Sequence, residues 1–493
     1  MIAKITFRIT NSMRKIILSF LVLVAMVGTM SAQRVWAYGL NMTQEADVYA
    51  FSFISTNDAT EANLVFSDAT TDAVLGKVAI DKVIKGENTV ELALNDIPYT
   101  GVMNWAVELK GEAIEEFVDL TDGDVIDDKF YFYLPQGVAV NNNPESEYFG
   151  TIYVAEPYAG AGDGLSAHSK TQTAGIYVFD PALNIENYAA GYVPSNVTLD
   201  ASKYKYQTLH RIAVHPKTSD VVFVQSMDAF VWSVAASELA SGTAAVNLIE
   251  DTYIWYADSH CFDADGTLYV FDAMATDYAG AVYKVVDGVD EIFALSVNWA
   301  NGRSALASDG RGGIWFTQNR SQLDKYDMLA HANADGKVDF AANVDASDDV
   351  KAIMPKNTAR GQLAYNTKEN VLALGGEGMV WLYNVVYDET GKPTLTLLDK
   401  SMSLGNNVDG LAFDYAGDLL ALSASIERFY KLAVPTDNNV CTTPAPKAQV
   451  IEKEETAVQM VTTAEQKTRK VVIDGQMYII RGGKIYNALG QVK

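Results

Sequence analysis

A short apolar segment recurs six times in this chain. The copies are Gly137-Val138-Ala139-Val140, Arg211-Ile212-Ala213-Val214, Ser259-His260-Cys261-Phe262, Arg303-Ser304-Ala305-Leu306, Gln362-Leu363-Ala364-Tyr365 and Gly410-Leu411-Ala412-Phe413. The third position is always small and the fourth always apolar. The small column advances by 74, 48, 44, 59 and 48 residues. Second strand-like runs follow, such as Val221-Val222-Phe223-Val224 and Leu268-Tyr269-Val270-Phe271, and then third runs such as Val231-Trp232-Ser233-Val234. Three antiparallel strands cannot bury both of their faces, so each unit needs neighbours of its own kind.

Repeats of about forty to fifty residues, each with three or four strands, predict a β-propeller, here with six blades over residues 125–435. The small column has a steric reason. Blades are wedges whose innermost strands crowd at the axis, where a large side chain would strike the next blade. After Val434 the last blade is one strand short. The run Lys129-Phe130-Tyr131-Phe132-Tyr133-Leu134 precedes the first inner strand and is predicted to complete blade six and close the ring.

The whole chain reads as all-β. Residues 33–124 alternate apolar and polar, as in Tyr49, Phe51 and Phe53 or Trp105, Val107 and Leu109, which predicts an antiparallel sandwich. Residues 436–469, with Pro444, Pro446 and Glu452-Lys453-Glu454-Glu455, read as a disordered linker, and 470–493 as a β tail of three short strands turned at Asp474-Gly475 and Gly482-Gly483. Residues 1–32 have the layout of a signal peptide: Lys4, Arg8, Arg14 and Lys15, an apolar run from Ile16 to Val27, then small residues before Gln33. The expected product is exported, extracellular, cell-surface or periplasmic, with no membrane span after signal removal. Loss of those four basic residues takes the net charge from −25 to about −29. Such a surface excludes nucleic acid as a partner.

Particular stretches resemble known families. "VDGLAFDYAGDLLAL", "SHCFDADGTLYVFD" and "QGVAVNNNPESEYFGTIYVAE" resemble the inner hairpins of NHL-type and SMP-30/gluconolactonase-like propellers, over roughly residues 129–435. The N-terminal sandwich resembles immunoglobulin-like modules of bacterial secreted proteins. "VVIDGQMYIIRGGKIYNALGQVK" resembles the C-terminal tails of Bacteroidetes proteins exported by the type IX route, which implies a secretion-machinery partner.

Propellers bind ligands where axial loops converge. That places His210, Arg211, Asp258, His260, Asn301, Arg303, Arg360, Gln362 and Asp409 at a candidate ligand-binding mouth. The three arginines suggest an anionic group held by bidentate bonds, or else ion pairs with Asp258 and Asp409 across blades. His260 and Ser304 stand in an otherwise apolar column, as ligand contacts or as satisfied core groups. The expected function is binding of a small-molecule, glycan or protein ligand without a cofactor. The lactonase resemblance implies the alternative, a hydrolase using a divalent metal such as calcium on Glu156, Asn301 and Asp409. No Ser/His/Asp elbow, phosphate loop or cysteine cluster is present.

Overall fold

The computed structural model describes residues 33–97, 101–121, 128–158, 173–187, 190–199, 209–225, 230–249, 254–276, 279–286, 289–295, 304–318, 328–342, 346–355, 362–453, 468–473, 476–481 and 484–487. Within them, six antiparallel sheets follow one another from Gly137 to Ala433. Their inner strands are Gly137–Val140, Leu209–Val214, Ala257–Phe262, Ala305–Ser308, Leu363–Asn366 and Gly410–Phe413. Each touches the inner strand of the next sheet, and the sixth touches the first. The chain forms a closed six-bladed β-propeller.

The small column does what the steric argument requires. Between blades one and two, Ala139 shares a core cluster with Ile212. Between blades five and six, Ala364 shares one with Leu411, and between six and one, Ala412 packs on the cluster containing Val138. A small side chain thus meets an aliphatic one at each of these wedge tips. In blade four the register corrects the sequence alignment. Ala305 lies opposite Thr317 and Ser308 opposite Ile314, and the following turn runs from Asp309 to Gly313. The segment Arg303–Leu306 was therefore aligned two residues early, and Ala307 is the small residue facing blade five. A two-residue slip keeps the same face of a strand, and both alanines are small, so the pattern could not detect it.

Ring closure also needs correction. The fourth strand of blade six is Val118–Asp119, paired with Ala433 and Leu432, not the run Lys129–Leu134. Asp128–Phe130 is a 3-10 turn, and Tyr131 forms an isolated bridge to Arg428. Phe130 and Phe132 wedge between blades six and one, with Phe130 stacked on Phe179 at 6.3 Å and on Phe429 at 6.0 Å. An outer strand would leave alternate rings in water, whereas this wedge buries Phe130 through Tyr133.

The sandwich has one sheet of Ala37–Glu45, Val48–Ser55 and Gly86–Ala93. The other contains Val74–Ala79, Glu61–Asp68 and Gly101–Lys110, the last of which also pairs with Val440–Pro444 and Ile451–Lys453. Residues 436–453 are therefore not a linker. They return to the sandwich, and Cys441, Thr443, Ala445 and Ile451 are buried there or at its border. Residues 454–467, the rest of that expected linker, lie outside the described residues. The tail forms a separate meander of Thr468–Ile473, Gln476–Arg481 and Lys484–Asn487.

The sandwich docks on the propeller face that carries the inner hairpin turns, here the lower face. Trp36 meets Phe149 edge-on at 5.2 Å, and Phe149 meets Tyr415 at 4.8 Å. A Cβ on Gly150 would stand 2.5 Å from Trp36, and its φ of +81° favours glycine in any case. Beside these rings lies a buried ion cluster. Lys431 Nζ is 2.9 Å from Asp414 and 3.8 Å from Asp418, and the Arg34 backbone N–H donates to Asp418 at 3.4 Å. The Arg34 guanidinium pairs with Glu369 and donates to the Ala416 carbonyl. Burial, reinforced by Asp414, pushes the Asp418 carboxyl up to about 7.

Two outcomes test this account. Leu120→Pro removes the N–H that bonds the Lys431 carbonyl at 2.8 Å next to the closing strand. It should destabilise the protein by about 1–3 kcal/mol in denaturant melts, while Lys129→Pro changes little. Lys431→Met leaves two buried carboxylates without their cation and should cost about 3–5 kcal/mol. Equal melting of Leu120→Pro and Lys129→Pro, or a silent Lys431→Met, would contradict the assignments.

Candidate functional site

The face opposite the docked sandwich is where inner strands begin and second strands end. Much of its loop sequence, including 159–172, 200–208, 296–303, 319–327 and 356–361, lies outside the described residues. Asn301, Arg303 and Arg360 fall there. Of the remaining sequence-predicted residues, His210, Arg211, Asp258, Gln362 and Asp409 stand at or next to the inner-strand starts of blades two, three, five and six, and His260 lies in the middle of its strand, opposite Val270.

Two of these starts are bulged. The ladder shifts between Leu209 and Arg211 in blade two and between Ala257 and Ser259 in blade three. His210 and Asp258 are the extra residues, and bulges of this kind re-aim side chains at the rims of closed sheets. Arg211 is buried, and its Nη1 donates to the carbonyls of Gln136 at 2.6 Å and Asp409 at 3.2 Å. One guanidinium therefore ties the inner-strand starts of blades one, two and six together.

The carboxylates of this face hold backbone. Glu156 accepts from the N–H of Leu134 at 3.0 and 3.2 Å and from Tyr158 at 3.1 Å. Burial pushes its pKa up to about 8, against the pull of those N–H groups. Asp272, the matching residue in blade three, accepts from Trp255 N–H at 2.9 Å, and Gln225, its match in blade two, donates to the Thr198 carbonyl at 2.8 Å. The fifth residue of the second strand thus clips the segment arriving at the same blade. Asp409 accepts from Ala424 N–H at 2.8 Å, and Asp258 accepts from Ser304 N–H. Glu156 and Asp409 were the described members of the alternative metal set. Both Glu156 oxygens and Asp409 Oδ2 already accept main-chain N–H groups, and Asn301, the third member, lies outside the described residues.

His260 is the one polar side chain in a column that otherwise reads Val138, Ile212, Leu306, Leu363 and Leu411 once blade four is in register. It is buried, and Nε2 lies 3.0 Å from the Val222 carbonyl of blade two. That bond requires the hydrogen on Nε2. Burial, with Arg211 nearby, pushes its pKa down to about 4. Among the described residues, neither His260 Nδ1 nor Ser304 Oγ, both buried, has a hydrogen-bond partner. Water or a ligand hydroxyl would satisfy each.

A second histidine lies on the opposite side of the disc, where sequence reading had no reason to look. His331 sits between Asp339, 2.7 Å from Nδ1, and Asp309, 3.0 Å from Nε2, with Trp315 at 4.7 Å. Carboxylates occupy both nitrogens, so it cannot serve as a base for a nucleophile. Asp309 belongs to another recurrent device: Asn141, His215, Asp309, Asn366 and Asp414 each accept backbone N–H groups of the turn that they open. Sequence shows that column only after blade four is shifted by two.

Among the described residues no group of three or more His, Cys, Asp or Glu is placed to hold a metal, and no helix is long and apolar enough to cross a membrane. No protein-family model and no curated protein matches the chain. Solved structures do. A gluconolactonase from Xanthomonas campestris aligns at 11% identity over 66% of this chain and 98% of that one, with TM-score 0.38. An auxiliary nutrient binding protein from Bacteroides ovatus aligns at 10% identity over 82% and 98%, with TM-score 0.41. The WD40 β-propeller domain of Doa1 aligns at 10% over 66% and 97%, with TM-score 0.34. At these values the activities of those proteins are not carried over to this one.

The buried histidine has a pH signature. Its pKa is 6.5 unfolded and about 4 folded, so its contribution to stability is intact above pH 6.5 and is lost as pH falls towards 4. Glu156, raised by burial, acts in the opposite sense and is unaffected by changes at position 260. His260→Leu matches its column. It should be about 1 kcal/mol less stable than the parent at pH 7.5 and about 2 kcal/mol better placed, relative to it, by pH 5. Parallel stability curves from pH 7.5 to 5 would contradict this.

Proposed function

We propose that this is an exported, non-catalytic binding protein whose upper propeller face takes a small-molecule, glycan or protein ligand. The observation that carries the reading is the set of polar residues at the inner-strand starts, with two buried polar atoms, His260 Nδ1 and Ser304 Oγ, that have no hydrogen-bond partner among the described residues. The sandwich covers parts of the other face, and the longest insertions between strands belong to this one. Polar groups that a fold buries without partners mark a position for water or ligand. The reading against catalysis rests on commitment. The described carboxylates here serve backbone N–H groups, His260 faces a carbonyl, and His331 is held by two carboxylates. In this site Arg211 is frame, and the half-buried His210 together with Gln362 are the groups proposed to meet the ligand. Export follows from the signal-like leader, with the C-terminal meander proposed as the element that secretion machinery handles.

The test is a ligand screen on the mature chain with glycan and peptide arrays, with metal analysis of the same preparation. A ligand should bind in the presence of a chelator, and His210→Ala and Gln362→Ala should each weaken it at least tenfold without shifting the melting temperature by more than a few degrees. One tightly held divalent ion per chain, with binding lost on chelation, would favour the metal-dependent hydrolase instead.

A further inference from the structure

Trp255 stands on the segment that leads from blade two into the inner strand of blade three, on the upper face. It is 78% exposed. Its neighbours Ile254 and Ala257 are buried, and its own N–H is fixed to the buried Asp272 carboxylate at 2.9 Å. The backbone is therefore held firmly while the indole is turned to solvent. The other described tryptophans behave differently. Trp36, Trp105, Trp315 and Trp381 are buried, and Trp232 is half-buried and bonded to Gln225 at 3.0 Å. An indole is the largest apolar side chain, and the packing of blades two and three gains nothing from one held outside it.

Charge and hydrogen-bond chemistry narrow what would cover that ring. The chain carries a formal charge of −25 and Asp258, Asp272 and Asp409 line the same face, which disfavours an anion. These carboxylates also hold main-chain N–H groups, so they are not arranged as a cage for a cation. What remains are mixed donors and acceptors at the inner-strand starts: His210, Gln362 and the buried hydroxyl of Ser304, which has no partner among the described residues. Hydroxyl groups, which donate and accept, complement such a mixture. Trp255 precedes Asp258 by three residues, about 10 Å along an extended chain, so a ligand reaching from the indole to the inner-strand starts is longer than a single sugar ring.

We propose that the ligand of the upper face is a neutral oligosaccharide, with one pyranose ring stacked on Trp255 and hydroxyls directed to the polar inner-strand starts. This rests on the binding reading above and adds its ligand class.

The experiment uses the mature chain and a panel of neutral hexasaccharides (α- and β-glucan, mannan and xylan fragments), with an oligogalacturonide and choline as charged probes. Binding is followed by calorimetry and tryptophan fluorescence. At least one neutral hexasaccharide should bind and shift the emission to the blue. Trp255→Ala should weaken it at least tenfold, Trp255→Phe should retain most of the affinity, and neither should change the melting temperature. Tighter binding of the oligogalacturonide or choline than of every neutral sugar overturns the proposal. So does saccharide binding that Trp255→Ala leaves intact. If a non-saccharide ligand binds and is lost in Gln362→Ala, the ligand class fails while the binding face stands. If every ligand found is indifferent to His210→Ala, Gln362→Ala and Trp255→Ala, both fail.

Discussion

One antiparallel ribbon holds this molecule together. Lys110 pairs with Val440 inside the sandwich, Gly111 bonds Asn439, Ile114 bridges Thr436, and Val118 and Asp119 pair with Ala433 and Leu432 inside blade six. The chain leaving the sandwich and the chain returning to it stay hydrogen-bonded along the whole passage. The same two legs are strands of the sandwich sheet at one end and the outer pair of blade six at the other. A propeller must close or leave an open edge. Here closure is supplied by the ribbon, so the sandwich and the ring share one hydrogen-bonded element. Arg428 reinforces the joint by donating to Asp119 and to the Thr121 carbonyl, both at 3.1 Å.

The ribbon also fixes orientation. Because it emerges beside blade six, the sandwich comes down on the hairpin turns of the lower face, where Trp36, Phe149 and Tyr415 and the Arg34–Lys431 cluster fill the junction. Removing such charges from water is expensive, and the junction offsets that cost by pairing each carboxylate with a cation or with the N–H groups of a turn. The upper face is left for loops. The two faces thus differ in kind: the lower carries tight turns capped by their own first residues, and the upper carries long connections clipped by Glu156, Gln225 and Asp272.

Much of the architecture was legible because its cause is local. A small residue at each wedge tip and period-two runs around it are visible in any one copy, and six copies made the ring countable. The failures have equally specific causes. Val118–Asp119 is too short to show a period, whereas the aromatic run at Phe130–Tyr133 looks like a strand and is a wedge. Pro444 and the threonines before it suggested a linker, yet they form a strand that borders the sandwich sheet with only one side paired, where proline is tolerated. At the candidate site the residue types were seen correctly and their employment was not. Sequence displays a carboxylate at a strand end but not the main-chain N–H it serves, because the donors of Leu134, Ala424 and Ser304 come from segments that only the fold brings near.

That distinction separates frame from site on the upper face. Arg211, Asp258, Asp272, Glu156 and Asp409 are polar, buried and on the upper face, the properties by which a ligand site is usually sought, and each has described bonds to backbone. A side chain that fixes where a loop begins is poorly suited to yield to a ligand as well. Recognition then falls to groups the frame presents without needing them: an indole in water above a clipped backbone, and the Ser304 hydroxyl, which has no partner among the described residues. The rigidity of the clips is what makes such groups useful, since a ligand meeting a pre-positioned ring and fixed polar atoms loses less to ordering the protein than one that must organise a loop.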